Sequence, residues 1–383
     1  MIQEAHWEQA RSEAHGFWKK LPSETIVIAS CVDRTLATDA LALVDLPTFP
    51  TSAMDGYAVC GKGPWKIIGE VKAGSPMKSA LKDKSAVKIA TGAVIPENTY
   101  GIIRWESATL DGDILSGDIK EGQEIRPAGL ESKKGEVLAA AGTILNPGLI
   151  GLLAAAGHDS LEVVRIPKAT IILLGDEIVL EGLPHDGLVR DALGPQLPGW
   201  LNKLGVEVIA TQYVSDELEL VSNAFAEAAK NSDIVFTTAG TADGPRDHVR
   251  AAIAALKGEL IIDRVKVRPG HPMVLAHVNK IPFVGLPGNP QSAIVALLTL
   301  GQPVIDALMG RKEAELDQIV TGDNIDVSEG FTRLVLGNVV DGWFEMGEYL
   351  GSAMLRGLAH STGFAVADKS MEEGEMVAWL PLP

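Results

Sequence analysis

Residues 281–296 read IPFVGLPGNPQSAIVA: a short apolar run, a Pro-Gly turn and then apolar residues at helical spacing. The run from Phe283 to Leu286 predicts a buried strand, after which Pro287 and Gly288 turn the chain. Pro290 fits the first turn of a helix, where its missing N–H removes no hydrogen bond, and Asn289 is expected to cap that helix. The free N–H groups of the helix start are expected to face a ligand. A capped turn without a ligand is the alternative.

The same alternation of strand and helix extends from this turn through the preceding part of the chain. Three more apolar runs are expected to be strands, ATIILL at 169–174, VEVIA at 206–210 and DIVFTT at 233–238. Helical stretches lie near 194–204, 216–230, 246–257 and 290–300. This order predicts a three-layer α/β domain with a parallel sheet, whose ligands bind at the carboxyl ends of the strands.

The flanking regions have shorter segments, and we expect the chain to be multidomain, α/β plus β. Residues 4–20 have apolar positions near helical spacing, whereas 65–71, 86–90 and 101–110 are predicted strands. The predicted domains are a discontinuous N-terminal domain at 1–40 and 127–166, an inserted β-rich domain at 41–126, a three-layer α/β domain at 167–310, and a small C-terminal β-domain at 311–383.

Charge and composition exclude several classes of protein. The net charge is −17 and no Lys/Arg run stands out, so we expect no binding of nucleic acid. Cys31 and Cys60 are the two cysteines, which argues against a disulfide framework or a zinc site. The first residues lack the apolar core of a signal peptide, and no uninterrupted apolar run reaches the length that spans a membrane. These features predict a cytoplasmic protein.

A family resemblance begins at residues 52–59, SAMDGYAV, which follow the Pro-rich lead DLPTFP. Alone, this is a loop with an Asp-Gly turn that feeds a strand. The whole string resembles the signature of the MoeA/gephyrin-E family, and further blocks resemble that family in the same order along the chain. They are CVDRTLATD at 31–39, IATGAVIPENTYGIIRWE at 89–106, GLESKKGEVLAAAGTIL at 129–145, GDEIV at 175–179, TAGTADGPRDHV at 238–249, RPGHP at 268–272 and LPGNPQSA at 286–293.

The resemblance implies a molybdopterin molybdenumtransferase, in which the α/β domain at 167–310 is the molybdopterin-binding domain and the N-terminal domain at 1–40 and 127–166 is the linker and dimerisation domain. Such an enzyme inserts molybdate into adenylated molybdopterin and releases AMP, with Mg²⁺ as the usual cation, in molybdenum cofactor biosynthesis. The resemblance also implies a homodimer, with each active site in a cleft between the α/β domain of one subunit and the β-rich domain of the other. Transient contacts with a pterin adenylyltransferase and with apo-molybdoenzymes are expected as well.

Three carboxylates are the expected catalytic and metal-binding residues. Glu177 closes the strand at 169–174 together with Asp176, and two acids there are unfavourable to bury without a partner. Mg²⁺ takes one or two carboxylates together with water and phosphate oxygens. We expect Glu177 and Asp247 to hold the cation with Asp55 nearby, and Asp55 to position the attacking water or oxyanion. The alternative is that these acids cap loops and face water.

Two basic residues are expected to hold molybdate, a dianion. Arg268 and His271 stand in RPGHP, where the family usually has lysines. Arginine stays charged, whereas a free histidine titrates at about pH 6.5. The histidine therefore predicts a pH-sensitive anion site unless a neighbouring acid supports its charge. An exposed loop with a solvated arginine is the alternative. Arg333 and Ser352 loosely match terminal-domain positions that line the cleft in the family, although a structural role is favoured for both.

The remaining candidate binding residues stand in loops where backbone must approach a ligand closely. They are Thr91, Gly92, Gly240, Gly244, Pro287, Gly288, Asn289 and Ser292. Asp191 is either a site residue or a helix cap, and Glu131 is a candidate for a further carboxylate. The chain departs from the family pattern at Leu174, Leu193 and Ala239, among other positions.

Three rival functions remain open on the sequence. A pterin adenylyltransferase shares the α/β domain but does not need SAMDGYAV. A scaffold without catalysis, like the gephyrin E domain, is the second rival. The third is a diverged homologue that binds a pterin or an oxyanion without transferring metal, since departures such as Leu174 and His271 fall inside the motifs.

Overall fold

The computed structural model describes residues 1–242, 244 and 247–383, so Asp243, Pro245 and Arg246 lie outside the described residues. The chain forms two compact units. The α/β unit comprises Met1–Glu24, Asp33–Ala37 and Val163–Pro383, and the β-rich unit comprises Thr25–Val32 and Thr38–Glu162. The finer division into four domains stays a prediction.

The regular elements in the first half of the chain are mostly short strands. They are β1 Ile2–Ala5, β2 Ser23–Val27, β3 Ala40–Leu41, β4 Thr51–Ser52, β5 Gly56–Val59, β6 Trp65–Val71, β7 Ser85–Ile89, β8 Gly101–Arg104, β9 Thr109–Asp111, β10 Ile114–Ser116, β11 Ile125–Arg126, β12 Val137–Ala139 and β13 Ser160–Val164. Two helices, α1 Trp7–Gly16 and α2 Pro147–Ala155, and two 3₁₀ turns, Ile28–Ser30 and Trp105–Ser107, stand among them.

Longer strands and helices alternate in the second half. The strands are β14 Lys168–Leu174, β15 Ile178–Val179, β16 Val189–Arg190, β17 Glu207–Val214, β18 Ile234–Thr238, β19 Glu259–Val265, β20 Val267–Arg268, β21 Val274–Val278, β22 Ile281–Leu286, β23 Asp317–Thr321, β24 Thr332–Val340, β25 Trp343–Met346, β26 Gly363–Ala367 and β27 Met376–Pro381. The helices are α3 Leu193–Lys203, α4 Leu218–Asn231, α5 Val249–Ala255, α6 Pro290–Ala296, α7 Gln302–Leu308 and α8 Leu355–His360, with a π-helical segment at Leu297–Gly301.

The central sheet of the α/β unit has the strand order β1-β19-β21-β22-β18-β14-β17. Its core is parallel as predicted, since β22, β18, β14 and β17 pair in that sense. Alternate residues of β14 face opposite sides: Ile171 packs with α3 and α6, whereas Ile172 packs with α4 and α5. The three-layer α/β architecture is therefore confirmed, with β21 antiparallel to both of its neighbours as an addition.

The N-terminal segment differs from the prediction of one helix over residues 4–20. Residues Ile2–Ala5 form β1, which pairs in parallel with β19 at the sheet edge, and α1 begins at Trp7. The predicted strand at 101–110 is also interrupted, by the 3₁₀ turn Trp105–Ser107. For residues Ile2–Ala5, the unpaired edge at β19 favours an added strand over the first turn of a helix. The periodicity of the local sequence contains no information about that edge.

The longest helical stretch runs without a break from α6 through the π-helical segment to α7. Trp7 Nε1 donates to Thr299 Oγ1 at 2.9 Å, and Arg11 Nη1 donates to the Leu298 carbonyl at 2.5 Å. This stretch, Pro290–Leu308, is long and apolar enough to cross a membrane, but 94% of it is buried inside the protein. It is therefore accounted for as the core helix of the α/β unit.

Two further sheets carry the remaining site residues. In the β-rich unit the order is β8-β5-β7-β6-β10-β9, and Gly56 lies so close to β8 that a Cβ atom there would be 2.2 Å from the Ile103 carbonyl oxygen. In the C-terminal part of the α/β unit the order is β20-β24-β25-β23-β27-β26, with β24 also pairing β26. That additional pairing closes the C-terminal sheet into a small barrel, to which β20 adds Arg268.

Candidate active site

The turn after β22 is held by the C-terminal part of the chain. Pro290 occupies the first turn of α6 as predicted, but the Asn289 side chain makes no capping hydrogen bond. Instead, Asn289 Nδ2 donates to Ser352 Oγ at 3.3 Å, and the Gln291 amide donates to the Ser352 carbonyl at 3.0 Å. Asn289 therefore occupies the N-cap position as predicted, but its side chain does not cap the helix, because a distant segment satisfies one of the helix-start amides.

The loop after β18 lies directly against this turn. A Cβ atom on Gly288 would be 3.4 Å from the Ala239 Cβ, and both Ala239 and Gly240 have left-handed backbone, with φ of 60° and 66°. Arg250 Nη1 fixes the loop by donating to the Thr241 carbonyl at 2.6 Å. Close packing of the two loops explains why small residues are needed here.

The residues before α5 are arranged differently from the prediction. The helix expected near Arg246, a residue outside the described ones, begins at Val249. Asp247 precedes it and accepts a hydrogen bond from the Gly244 amide. Asp247 therefore closes its own turn with one carboxylate oxygen and is not part of the helix start.

A group of acids gathers at the carboxyl ends of β14 and β17. The Asp176 amide donates to Asp216 Oδ2 at 3.3 Å, and the Asp216 amide donates to Asp176 Oδ1 at 3.1 Å. The Glu177 carboxylate folds back over Gly175, where a Cβ atom would be 2.9 Å from it. His248 contacts the Asp216 carbonyl at 3.1 Å through Nε2. The reciprocal bonds thus join the two strand ends next to Glu177.

The Asp216 carboxyl is partly buried within this group. Burial raises the pKa of its carboxyl, and the negative charges of Asp176 and Glu177 raise it further, against the lowering effects of the Asp176 amide and His248. Like charges this close favour a bound cation. Among the residues that the structure describes, no group of three or more His, Cys, Asp or Glu is close enough to form a complete protein-only metal site. Mg²⁺ does not need one, since water and phosphate oxygens supply its other ligands.

A pocket of about 380 Å³ opens beside the start of α6, wholly within the α/β unit. It brings together residues that stand far apart in the sequence. Those with polar side chains are Arg268, His271, Gln291, Ser292, Arg333 and Ser352. The structure thus unites the two predicted molybdate residues with Ser292 and with the two loosely matched terminal-domain positions.

The two arginines of this pocket are held by their surroundings. The Arg268 guanidinium stacks over the Phe331 ring at 4.9 Å from its centre. Arg333 Nη1 donates to the Asp326 carbonyl at 2.6 Å. Each guanidinium carries five N–H donors, so both retain donors for an anion.

His271 has a partner that the sequence did not predict. Its Nε2 atom lies 2.8 Å from Glu4 Oε2, and both side chains are partly exposed. The sequence left open whether an acid neighbours His271, and this contact supplies one.

Asp55 and Thr91 meet within the β-rich unit. Asp55 Oδ1 accepts hydrogen bonds from the Thr91 amide at 2.7 Å and from Thr91 Oγ1 at 3.0 Å. These bonds lower the pKa of the Asp55 carboxyl, first through the amide and then through the hydroxyl. Gly92 has φ of 79°, a left-handed conformation that suits glycine, and its amide donates to the Ser52 carbonyl at 2.9 Å. The SAMDGYAV segment therefore presents an ionised, exposed carboxylate.

The two weaker candidates have separate roles. Asp191 Oδ1 accepts from the Leu193 and Gly194 amides, each at 3.0 Å, which supports its alternative role as a helix cap. Glu131 lines a cavity of about 610 Å³ in the β-rich unit, together with Arg126.

Comparison with known proteins identifies the chain. Residues 5–157 match the model described as the MoeA N-terminal region (domain I and II), and residues 170–307 match the probable molybdopterin binding domain. The molybdopterin molybdenumtransferase of Haemophilus influenzae is 34% identical over 319 residues, which cover 80% of this chain and 78% of that protein. The chain belongs to the molybdopterin molybdenumtransferase family.

Other molybdopterin molybdenumtransferases and solved structures agree with this assignment. The enzyme of Staphylococcus aureus (strain COL) is 28% identical over 331 residues, 82% of this chain and 79% of that protein. The crystal structure of a molybdopterin biosynthesis MoeA protein from Pyrococcus horikoshii matches with a TM-score of 0.83 at 26% identity, covering 99% of both chains. Membership of the molybdopterin molybdenumtransferase family favours a transferase of molybdenum cofactor biosynthesis over a non-catalytic scaffold or binding homologue.

Two residues of the site escaped the sequence reasoning. Asp216 follows β17, and its position at the carboxyl end of a predicted parallel strand was a usable signal. Glu4 had no such signal, since it lies 267 residues from His271 and just outside the region that matches the first family model.

Proposed function

We propose that this protein inserts molybdate into adenylated molybdopterin and releases AMP. The observation that carries the proposal is the pocket of about 380 Å³ beside the start of α6. Arg268 and Arg333 both line it, and Ser292 and Ser352 add hydroxyl groups. A tetrahedral dianion requires this combination of permanent positive charge and several hydrogen-bond donors. The pocket is notable in a chain whose net charge is −17.

The strand ends next to this pocket are the proposed seat of the adenylated pterin. The close approach of Gly288 to Ala239, together with the left-handed Gly240, supports contacts between backbone amides and a phosphate or pterin. We assign Gly240, Gly244 and the turn Pro287-Gly288-Asn289 to this role. In the β-rich unit we assign Thr91 and Gly92 to substrate binding as well.

Mg²⁺ is the proposed cation, and the acids at the ends of β14 and β17 fit it. The raised pKa of Asp216 reflects burial first and then the negative charges of Asp176 and Glu177, and a divalent cation would offset both effects. We assign Glu177 and Asp247 as its protein ligands, with Asp55 as a further carboxylate. When bound, the cation would neutralise the pyrophosphate link of the substrate.

The protein groups have separate proposed tasks. Arg268, His271 and loop amides hold molybdate beside the dithiolene. Asp55, kept ionised by its two hydrogen bonds from Thr91, positions the attacking water or oxyanion. Cleavage of the phosphoanhydride then accompanies metal insertion. Such catalysis consists of positioning and electrostatic stabilisation.

A cytoplasmic homodimer is the proposed working form, with transient contacts to a pterin adenylyltransferase and to apo-molybdoenzymes. Sedimentation of the purified protein at several concentrations tests the assembly. A strictly monomeric protein with full activity would contradict the homodimer and leave the transferase proposal in place.

In the direct test, the purified protein receives adenylated molybdopterin and Mg²⁺ with or without molybdate, and the release of AMP is measured. We expect release of AMP and transfer of molybdenum, and both should depend on molybdate. Formation of adenylated pterin from ATP would favour the adenylyltransferase instead. Failure to restore a molybdoenzyme in cells that lack their own transferase would favour a binding homologue or scaffold.

A further inference from the structure

A carboxylate and an imidazole are in contact at the edge of the pocket beside α6. Glu4 Oε2 and His271 Nε2 are 2.8 Å apart, with 39% and 36% of their side chains exposed. His271 lines the pocket, whereas Glu4 lies outside its lining. Glu4 therefore reaches the pocket only through the imidazole.

Backbone contacts fix both partners of this pair to one short segment. The Lys266 amide donates to the Ala5 carbonyl at 2.8 Å, and the Val265 amide donates to the His271 carbonyl at 3.1 Å. The residue after Glu4 and His271 itself are thereby tied to adjacent positions of the chain. The backbone at both residues is thus fixed at the sheet edge, so only the two side chains have to be ordered for the contact to form.

The backbone of Glu4 is unusual in the same place. Along β1 the register pairs Gln3 with Asp263 and Ala5 with Val265, and Glu4 between them has φ of 55°. A glutamate rarely adopts left-handed backbone, because its Cβ atom then crowds the chain. The residues on both sides of Glu4 pair with β19.

The chemistry of the imidazole explains what the pair does. A neutral imidazole has one donor and one acceptor nitrogen, whereas an imidazolium donates from both. A carboxylate on one nitrogen orients the ring and stabilises the doubly donating form. Among the described residues, Nδ1 of His271 has no hydrogen-bond partner and remains for a ligand. Arg268 and Arg333 need no such help, since a guanidinium keeps its charge alone.

We propose that Glu4 is a positioning residue for the oxyanion: it holds His271 as a doubly donating group at the pocket edge. The proposal rests on the proposed function, because it assigns molybdate to this pocket. Arg268 and Arg333 line the same pocket as the His271 ring, and the Phe331 ring packs against that ring at 5.7 Å between centres. Both arginines favour an anion at this edge.

The test measures binding of molybdate alone to the purified full-length protein by calorimetry, without pterin. Replacing Glu4 by glutamine (E4Q) keeps the shape and removes the charge. We expect the Kd for molybdate to rise about threefold to tenfold, the effect of losing one hydrogen-bonded contact. The half-saturating concentration of adenylated molybdopterin and the melting temperature should stay at their wild-type values. The variant E4D, which keeps the charge, should recover part of the lost affinity.

A second variant shows whether Glu4 acts through the histidine. In a protein that already carries His271→Asn, E4Q should change the Kd no further. An equal effect of E4Q in both backgrounds, or tighter binding by E4Q alone, would overturn the proposal.

The outcomes separate this inference from the proposed function. Wild-type protein that binds molybdate, with E4Q binding equally well, removes the role of Glu4 and leaves the pocket standing. If the wild-type protein binds neither molybdate nor tungstate, both the role of Glu4 and the assignment of the pocket to an oxyanion are wrong. Loss of affinity in E4Q upholds the role of Glu4 even if transfer to adenylated molybdopterin is not observed.

Discussion

Asp55 and Asp216 are both aspartates of candidate sites, yet their surroundings act on them in opposite directions. Asp55 accepts two hydrogen bonds from Thr91, and its carboxyl pKa is lowered. Asp216 is partly buried beside two other acids, and its carboxyl pKa is raised. The β-rich unit thus stabilises a carboxylate by itself, whereas the α/β unit crowds one that needs a positive partner.

The difference shows that the surroundings of an aspartate decide which of two functions its carboxylate suits. A carboxylate stabilised in advance is suited to orient a water molecule, because its charge and direction do not depend on a ligand. A crowded carboxylate is suited to a site that a cation and an anionic substrate complete together.

The largest expected effect concerns Asp55. Replacing it by asparagine removes the stabilised charge, and we expect AMP release from adenylated molybdopterin to fall by about 100-fold or more. The matched control is Asp45→Asn in the same unit, where Oδ1 likewise accepts a backbone N–H, from Lys134 at 2.9 Å, and the carboxyl pKa is likewise lowered. Wild-type rates for the Asp55 variant would end its assigned role.

The second prediction extends the comparison to the basic side of the α/β unit. Arg268→Ala should raise the molybdate concentration needed for half-maximal transfer by about tenfold, since a charge-assisted contact to a dianion is lost. Arg356→Ala is the control, because Arg356 also stacks on an aromatic ring, Tyr349, at 4.7 Å but does not line the pocket. Equal effects of the two substitutions would point to lost stacking and not to anion binding.

The third prediction concerns Asp306, whose pKa is raised by burial alone and not by neighbouring acids. Burial raises the pKa of Asp306 to about 6, against the opposing charges of Arg311, Arg11 and His15. Because its folded pKa exceeds the unfolded one, this carboxyl stabilises the fold at low pH, and that stability is lost as pH rises through about 6. The wild-type free energy of unfolding should therefore lose about 1 kcal/mol from this group between pH 5 and 7.

Denaturant melts of Asp306→Asn at several pH values check this contribution. The variant should show a flatter dependence than the wild type in that window. Asp45→Asn again serves as the control. The pKa of Asp45 is lowered, so its carboxyl is already ionised at pH 5 and its effect on stability does not change between pH 5 and 7. An unchanged slope in the Asp306 variant would remove this group as the source.

The smallest expected effect concerns Asp216. Its raised pKa means that stability is present at low pH and lost as pH rises above the ordinary value of 3.8. Asp216→Asn keeps an oxygen for the Asp176 amide and removes the crowded charge, so it should stabilise the metal-free protein at neutral pH. The gain should be below about 1 kcal/mol, because the carboxyl is only partly buried and solvent still screens its charge.

Cation binding sharpens this last test. Mg²⁺ should raise the melting temperature of the wild type more than that of Asp216→Asn, and a chelator should abolish the difference. A variant that responds to Mg²⁺ as strongly as the wild type would contradict the link between crowding and the cation.

Local patterns predicted a large part of the fold. The strands β14, β18 and β22 and the helices α3 and α4 are close to their expected places, since their periodicity reflects which face each element buries. The predictions were wrong where a residue pairs with a segment that is distant in the sequence. Ser352 engages Asn289 and the Gln291 amide, and β19 receives an N-terminal strand in place of the first turn of the predicted helix.

The sequence by itself determined the family motifs, the alternation of strands and helices, and the candidacy of Arg268, His271 and Ser292. Only the tertiary structure decided that Arg333 and Ser352 share their pocket, and that Glu4 contacts His271. The physical reason is the range of the interactions. Periodicity and turn chemistry act over a few neighbouring residues, whereas the charge around a side chain depends on segments that the folded chain brings close from hundreds of residues away.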